Sequence, residues 1–390
     1  MIFRFDRNRN SKYYYILKKA CLSVTNDLVT DQRVLKVSDF LHRRGFNVLL
    51  VGRKKPDSPV FRHDNIKGFR FRMLFHKGFL FYAEYNLKLF FYLLFQKNDL
   101  LVSNDLDTLL PNFLVSRIKR IPLVYDTHEY FTGSTELMHR PFVRKTWKQI
   151  EKWIFPQLKH VFTVNHSIAD FYEEEYGVKI RVVRNIPKKF TQSEKLSRGD
   201  VGWPSDKKIV LMQGGAINID RGAEELIQAM QPQYGLKDVL LYFIGSGDVW
   251  NQIQQLTSDM NLNNVVKFIP RMPYEKLMQY TALADLGVSI DKPVSPNYQY
   301  SLPNKLFDYI GAGVPVMASS LVEVKGVVEG YDLGVCIKNH DPAHIAETIQ
   351  FVFSDENRYS SWKENALKAS EQLCWENEEK ILEEGYRQFL

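Results

Sequence analysis

Three groups of residues in this 390-residue chain have types and spacings suited to chemistry. The first is Asp126-Thr127-His128-Glu129, a histidine set between carboxylates directly after the apolar run Leu123–Tyr125. Flanking acids favour the imidazolium, so such a histidine suits holding a hydroxyl or orienting a proton; a helix-capping cluster is the plainer alternative. The second is Gly214-Gly215 followed by Asp220-Arg221-Gly222, where side-chain-free backbone and a guanidinium suit a phosphate. The third is Pro303-Asn304-Lys305-Leu306, the start of a short helix. Free amides of Asn304, Lys305 and Leu306 form an anion site there, and the Lys305 charge adds to it. Asp308, one turn in, suits a pair of neighbouring sugar hydroxyls. Phosphate plus sugar hydroxyls is what a nucleotide presents, although a generic capped helix also accounts for the third group.

The elements around these groups alternate strand and helix. An apolar strand within 13–24 leads to a loop at Asn26 and Asp27, then to a helix from Asp31 to Arg44 capped by Thr30 or Asp31. Strands follow at 47–51, 100–102, 123–125 and 161–164, with helices between them. After a polar linker the pattern resumes with strands at 208–212, 240–244, 265–270 and 286–290. Ligands of such parallel sheets bind beyond the strand C-termini, where all three groups lie. The helix after Pro303 is expected to end at Gly311 and Gly313 and to run into the buried strand Val314–Ala318.

The segment PNKLFDYIGAGVPV resembles the donor-site segment of the retaining glycosyltransferases of family 4, which have the GT-B fold. That family carries two glutamates with seven residues between them, followed by Gly-x-Pro-Val. Here Asp308 stands on the second, which implies a ribose contact, and Tyr300 on the first, which implies a place near the donor sugar. The Gly214–Gly222 stretch is similar to the family's phosphate site, with Ala216 and Ile217 where a second arginine stands; Lys305 is left to supply that charge. By the same likeness Ile269, Arg271 and Met272 lie near the base, Asn185 lies at the interdomain crossing, and Asn26 and Asp27 lie on the acceptor side. The functional histidine at the strand end is His128, with Asp126 and Glu129 beside it.

The resemblance implies an α/β protein of two Rossmann-like domains facing across a cleft. The first is residues 1–187 and the second 205–370, with a linker at 188–204 and a final helix, about 371–390, crossing back. It implies transfer of a sugar, with retention and without metal or other cofactor, from a nucleotide-diphosphate donor to a hydroxyl of a lipid-linked or polysaccharide acceptor in cell-envelope glycan synthesis. A non-catalytic nucleotide-sugar-binding subunit and a nucleotide-sugar epimerase of the same fold remain as alternatives. One Asp-x-Asp pair, Asp105 and Asp107, has the form of a metal site in the other main glycosyltransferase fold; helix capping near Thr108 explains it better.

Composition bounds these readings. The chain is 45% apolar and 13% aromatic, which excludes a disordered protein. Cys21, Cys336 and Cys374 are odd in number and widely spaced, as buried thiols of a reducing compartment would be. No signal-peptide core or membrane-spanning run is present. The expected location is therefore cytoplasmic, peripheral at the inner face of the plasma membrane. Residues 1–190 carry 34 Lys and Arg against 18 Asp and Glu, a net +16, and the remainder 18 against 27, a net −9. The basic half fits contact with an anionic membrane, and the absence of any nucleic-acid module argues against DNA or RNA. Residues 69–97 alternate aromatics and leucines with bases, which fits either a core-facing helix or an interfacial one.

Overall fold

The computed structural model describes residues 18–29, 31–56, 58–190 and 196–390. The basic arm before Lys18 and the cap candidate Thr30 lie outside them. The first domain runs β1 (Lys19–Ser23), α1 (Gln32–Arg43), β2 (Asn47–Lys54), β3 (Lys67–Arg72), α2 (Gly78–Phe95), β4 (Leu100–Asn104), α3 (Leu106–Lys119), β5 (Leu123–Thr127), α4 (Thr135–Met138), α5 (Pro141–Ile154), β6 (Val161–Thr163), α6 (His166–Tyr176) and β7 (Ile180–Val182). Its seven parallel strands lie in the order β3-β2-β1-β4-β5-β6-β7. The second runs β8 (Lys208–Gly214), α7 (Ala223–Ala229), β9 (Val239–Gly245), α8 (Trp250–Asp259), β10 (Val266–Pro270), α9 (Tyr274–Thr281), β11 (Leu286–Ser289), α10 (Pro296–Gln299), α11 (Asn304–Gly311), β12 (Val316–Ser319), α12 (Val322–Gly330), β13 (Gly334–Ile337) and α13 (Pro342–Phe353). Its six parallel strands lie in the order β10-β9-β8-β11-β12-β13. Both are Rossmann-like sheets covered by helices on two faces, which is why their strands read as unbroken apolar runs.

Two last helices join the domains. In α14 (Glu356–Gln372), Ala366 and Ala369 pack into the second core. The chain then crosses, Trp375 N donating to Pro187 O at 2.9 Å, and α15 (Trp375–Tyr386) buries Trp375, Leu382 and Tyr386 in the first core. Glu378, almost fully buried, accepts from Arg184 N at 2.7 Å and Nε at 2.8 Å, which ties the crossing helix to the chain after β7. The segment expected as a linker is partly folded. Arg198 bonds the Leu283 carbonyl and, at 2.5 Å, Asp285, while Trp203 is buried in the second core.

Local chemistry sets the element ends that matter for the site. Asp31 caps α1, accepting from Val34 N at 3.2 Å. Asp105 does not cap α3, which begins at Leu106 rather than near Thr108. It stands in the capping position at φ 58 with no side-chain cap bond, and its carboxylate turns to His128 instead. Pro111 inside α3 cannot donate to Asp107 O, and Asn86 of α2 takes that carbonyl at 2.9 Å. The bond pins α2 against α3. At the end of α11, Gly313 is the residue with left-handed φ (+70°); Gly311 stays helical.

Within the 69–97 segment, α2 has one buried face and one exposed apolar face. Phe81, Tyr85, Leu89 and Leu93 of α2 are buried, while Phe79, Leu80, Leu87, Phe91 and Phe95 are exposed on its other face.

Candidate active site

The cleft between the sheets' C-terminal edges holds a cavity of about 400 Å³. Gly214, Gly215, Arg221, Asn304 and Lys305 line it from the second domain, and His128, Glu129, Asn165 and Asn185 from the first. Arg221 and Lys305 converge on one carboxylate. Arg221 Nη1 lies 2.5 Å from Asp291 Oδ2 and Lys305 Nζ 3.1 Å from Asp291 Oδ1, with Asp291 wholly buried after β11. The Arg221 guanidinium also lies over the Tyr298 ring, 4.5 Å from its centroid, and its Nε has no hydrogen-bond partner among the described residues. The two cations are thus held ready with donor capacity unspent.

Backbone shape explains the glycines. Gly214 has φ +152°, and a Cβ placed on Gly215 would meet no protein atom within 4 Å, so only cleft space lies above it. Gly222, at φ +79°, packs so closely on Ile290 that a Cβ would clash with its carbonyl. Of the three amides expected free at α11, Leu306 N is spent on Pro303 O at 3.1 Å, because Pro303 occupies the capping position rather than the first turn. The Leu306 side chain is buried. The anion turn is therefore Asn304, Lys305 and the cation pair.

His128 sits at the end of β5. Its backbone N donates to Asp105 Oδ1 at 2.7 Å, and its Nδ1 lies 3.5 Å from Asp105 Oδ2. Nε2 lies 3.6 Å from Asp126, beyond hydrogen-bond range. Burial would push the imidazole down, but Asp105 first and then Asp126 hold it up at about 9. The partner expected from sequence, Glu129, turns instead to Asn297 of the other domain, Oε2 accepting at 2.6 Å. Asp126 is itself fixed by Arg33 of α1, which donates from Nε at 3.0 Å and Nη2 at 2.7 Å. Burial opposes ionisation of Asp126, but Arg33 and His128 hold its carboxyl well below the usual range. Asp107 is pushed up to about 8 by burial and by Asp105.

The remaining expected residues divide. Asp308 lies beneath the cleft floor, accepting from Tyr274 Oη at 2.8 Å and Gln213 Nε2 at 3.1 Å; burial raises it to about 6 despite these donors. Tyr300 joins the domains: its carbonyl accepts from Asn165 Nδ2 at 2.7 Å and its ring meets Phe171 edge-on, centroids 4.7 Å apart. Asn26 faces the cleft side, lining a polar cavity of about 220 Å³ with His128 and Asn304. Asp27 does not; it is tied to Ser58 and to Arg70, 3.0 Å away. Ile269 and Met272 pack on the second core and Arg271 is exposed, none lining the cleft cavity. Among the described residues no group of three or more His, Cys, Asp or Glu is placed to hold a metal ion. Sequence reasoning missed Arg33, Asp105 and Asp291.

A second cavity, about 500 Å³, opens within the first domain beside the cleft, and Glu129 lines both.

Two family models together match most of the chain: "Glycosyltransferase Family 4" over residues 31–186 and "Glycosyl transferases group 1" over 193–369. The chain is a GT-B glycosyltransferase. An uncharacterized glycosyltransferase of Methanocaldococcus jannaschii is 24% identical over 357 residues, 85% of this chain and 86% of that one. A chitobiosyldiphosphodolichol beta-mannosyltransferase of Candida glabrata is 27% identical over 49% of this chain, but only 40% of that protein's length is covered. In fold, the transferase is similar to Anabaena HepE in complex with UDP, with TM-score 0.72 and 17% identity over 95% of this chain and all of that one. Asp291, Arg221 and Lys305 are thus residues of a glycosyltransferase cleft.

Proposed function

We propose that the transferase moves a sugar from a nucleotide-diphosphate donor to a hydroxyl of a lipid-linked or polysaccharide acceptor, with retention and without metal, in cell-envelope glycan synthesis. The observation carrying this reading is that the cavity holding Arg221 and Lys305 and the first-domain cavity meet at Glu129, beside His128. The donor diphosphate would lie on Gly214, Gly215, Arg221, Asn304 and Lys305. Cations already in place stabilise the charge that grows on the leaving diphosphate as the glycosidic bond breaks, with little reorganisation. HepE, described in complex with UDP, supports a nucleotide in this cleft.

In the proposed retaining step no protein nucleophile acts. A phosphate oxygen of the leaving group takes the acceptor proton as the acceptor oxygen bonds the anomeric carbon from the same face. His128, protonated at neutral pH, would hold a sugar hydroxyl, with Asp126 and Asp105 fixing the ring. Asp308 would hold the ribose, through the carboxylate oxygens it shares with Tyr274 and Gln213. The acceptor would enter from the first domain, which carries the positive charge. The exposed apolar residues of α2 beside those bases support a peripheral seat on the cytoplasmic face of a membrane. No helix of the described residues is long and apolar enough to cross one.

The test is a thermal-shift screen of nucleoside diphosphates and their sugars, with donor hydrolysis measured for wild type and Arg221→Ala. At least one diphosphate should raise the melting temperature without magnesium, and the variant should show a smaller shift and lose hydrolysis. Binding without hydrolysis or transfer would leave a non-catalytic binding subunit. The product's anomeric configuration by NMR checks retention.

A further inference from the structure

The first-domain cavity has a second compartment of different chemistry. Between α2 and α5, over Leu110 of α3, lies a slot of about 190 Å³. Phe79, Tyr82, Val143 and Trp147 form walls of both the slot and the larger cavity, so the two adjoin along these side chains. The slot offers little to a polar ligand. Besides the rings of Tyr82 and Trp147, its polar residues are Asn86 and Thr146. The Asn86 amide nitrogen is spent on the carbonyls of Tyr82 and Asp107, and the Thr146 hydroxyl on Phe142 O. The outer end reaches solvent at Phe79 and Phe142, 67% and 80% exposed.

The larger cavity is polarised by the order of the sheet. Of its four carboxylates, Asp105, Asp107 and Glu129 follow β4 and β5, beside the transfer point, and Asp31 caps α1. Arg53 and Lys77 stand at the end of β2 and at the start of α2, on the other flank, while Arg140 lines the cavity from the start of α5. Three strand spacings, roughly 14 Å, separate β2 from β5. Arg53 has no carboxylate partner among the described side chains; it lies over the Phe81 ring, 4.6 Å from its centroid, with Nε unbonded. Its Nη1 donates to His76 O at 3.4 Å, and a guanidinium without a carboxylate partner, beside an apolar slot, matches an anion joined to a hydrocarbon.

We propose that the acceptor is an amphiphile: a hydroxyl-bearing head toward Glu129, a phosphate against Arg53 and Lys77, and the first stretch of an aliphatic chain in the slot between α2 and α5. The proposal rests on the glycosyltransferase reading for which end of the cavity meets the donor, and it chooses a lipid phosphate over a free glycan. The slot holds one chain segment; the rest would leave past Phe79 and Phe142 along the apolar outer face of α2.

The test uses n-decyl phosphate below its micelle concentration, methyl phosphate and decanol, titrated calorimetrically into the full-length protein. Wild type should bind decyl phosphate more than about tenfold tighter than methyl phosphate, the effect of two or so buried methylenes. Ala83 is an exposed residue of α2 on the slot, so Ala83→Trp blocks the slot without disturbing the core. That variant should bring the two phosphates to equal affinity, as should Val143→Asp. Arg53→Gln should weaken both phosphates and leave decanol unchanged. Equal affinities in wild type, or a decyl preference that survives Ala83→Trp, would overturn the proposal and place the chain elsewhere, such as on a membrane-facing surface. Decanol binding as tightly as decyl phosphate would overturn the phosphate contact. The nucleoside-diphosphate thermal shift, measured on the same variants, separates the readings. If it is absent while the decyl preference behaves as stated, the donor site fails and the slot stands.

Discussion

Arg221 and Lys305 bind opposite oxygens of a single buried carboxylate, that of Asp291, although one lies in the loop before α7 and the other in the first turn of α11. The carboxylate sets their spacing and offsets their repulsion before any ligand arrives. A diphosphate then meets two cations whose positions are already determined, so little ordering entropy is lost on binding.

Arg221→Ala and Lys305→Ala should each weaken nucleoside-diphosphate binding by roughly tenfold to a hundredfold, the worth of one charged hydrogen bond. Asp291→Asn should behave differently. With two cations left uncompensated, the ligand-free protein should lose about 3 kcal/mol of stability, the low end for a broken buried pair because the cations are partly exposed. The ligand would then relieve the repulsion, so its thermal shift should exceed that of wild type. Differential scanning fluorimetry across a diphosphate titration checks both; a smaller shift in Asp291→Asn would mean that the carboxylate orders the site more than it strains it.

His128 gives a pH prediction. Its folded value of about 9 lies above the ordinary histidine value near 6.5, so charging it stabilises the fold. That contribution is complete below about pH 6.5 and fades as pH rises through 9. His128→Gln should flatten the stability slope across this window. Asp105→Asn should lower the His128 midpoint, because the Asp105 charge is the largest single influence holding it up. An imidazole NMR titration that leaves the midpoint in place in Asp105→Asn would remove Asp105 from this role.

What could be read from the sequence was local. Glycines, Pro303 and Arg221 mark strand ends and helix starts by rules that act within a few residues, and the alternating pattern specifies two parallel sheets. What could not be read was tertiary. Asp105 obeys a capping rule in sequence, yet at φ 58 its carboxylate is taken by a histidine from the next strand end. Arg33 reaches Asp126 across 93 positions, and no periodicity announces such a pairing. The direction of Glu129 depends on a second domain. Leu306 shows the limit even of a local rule: one residue's shift of the cap consumes the amide expected to be free.

Asp308 titrates in the opposite sense from His128. Burial raises it to about 6, above the ordinary aspartate value near 3.9, so its ionisation destabilises the fold. Stability from this group is greatest below about pH 4 and declines as pH rises through 6. Asp308→Asn should flatten that decline, and Tyr274→Phe, by removing a donor to the carboxylate, should shift it to higher pH. If Asp308 also holds the ribose, Asp308→Asn should weaken a nucleoside diphosphate while leaving pyrophosphate binding unchanged. Equal losses for the two ligands would confine Asp308 to the fold.

Asn165 links the domains through one side chain. Its Oδ1 accepts from Ile168 N at 2.9 Å, capping α6, and its Nδ2 donates to Tyr300 O at 2.7 Å. Asn165→Ala should therefore cost about 1 kcal/mol for the cap, a fall of roughly 2–4 °C in melting temperature. It should also loosen closure. Asn165→Asp separates the two effects, because an aspartate still caps the helix but has no donor for Tyr300. The radius of gyration of ligand-free Asn165→Asp, measured by small-angle scattering, should exceed that of wild type and return to it when a nucleoside diphosphate bridges the cleft. Tyr300→Leu keeps the carbonyl and removes only the ring contact with Phe171, so it should open the protein less. If Asn165→Asp leaves the ligand-free radius unchanged, the hydrogen bond follows closure instead of sustaining it, and the Glu129–Asn297 contact becomes the next pair to break.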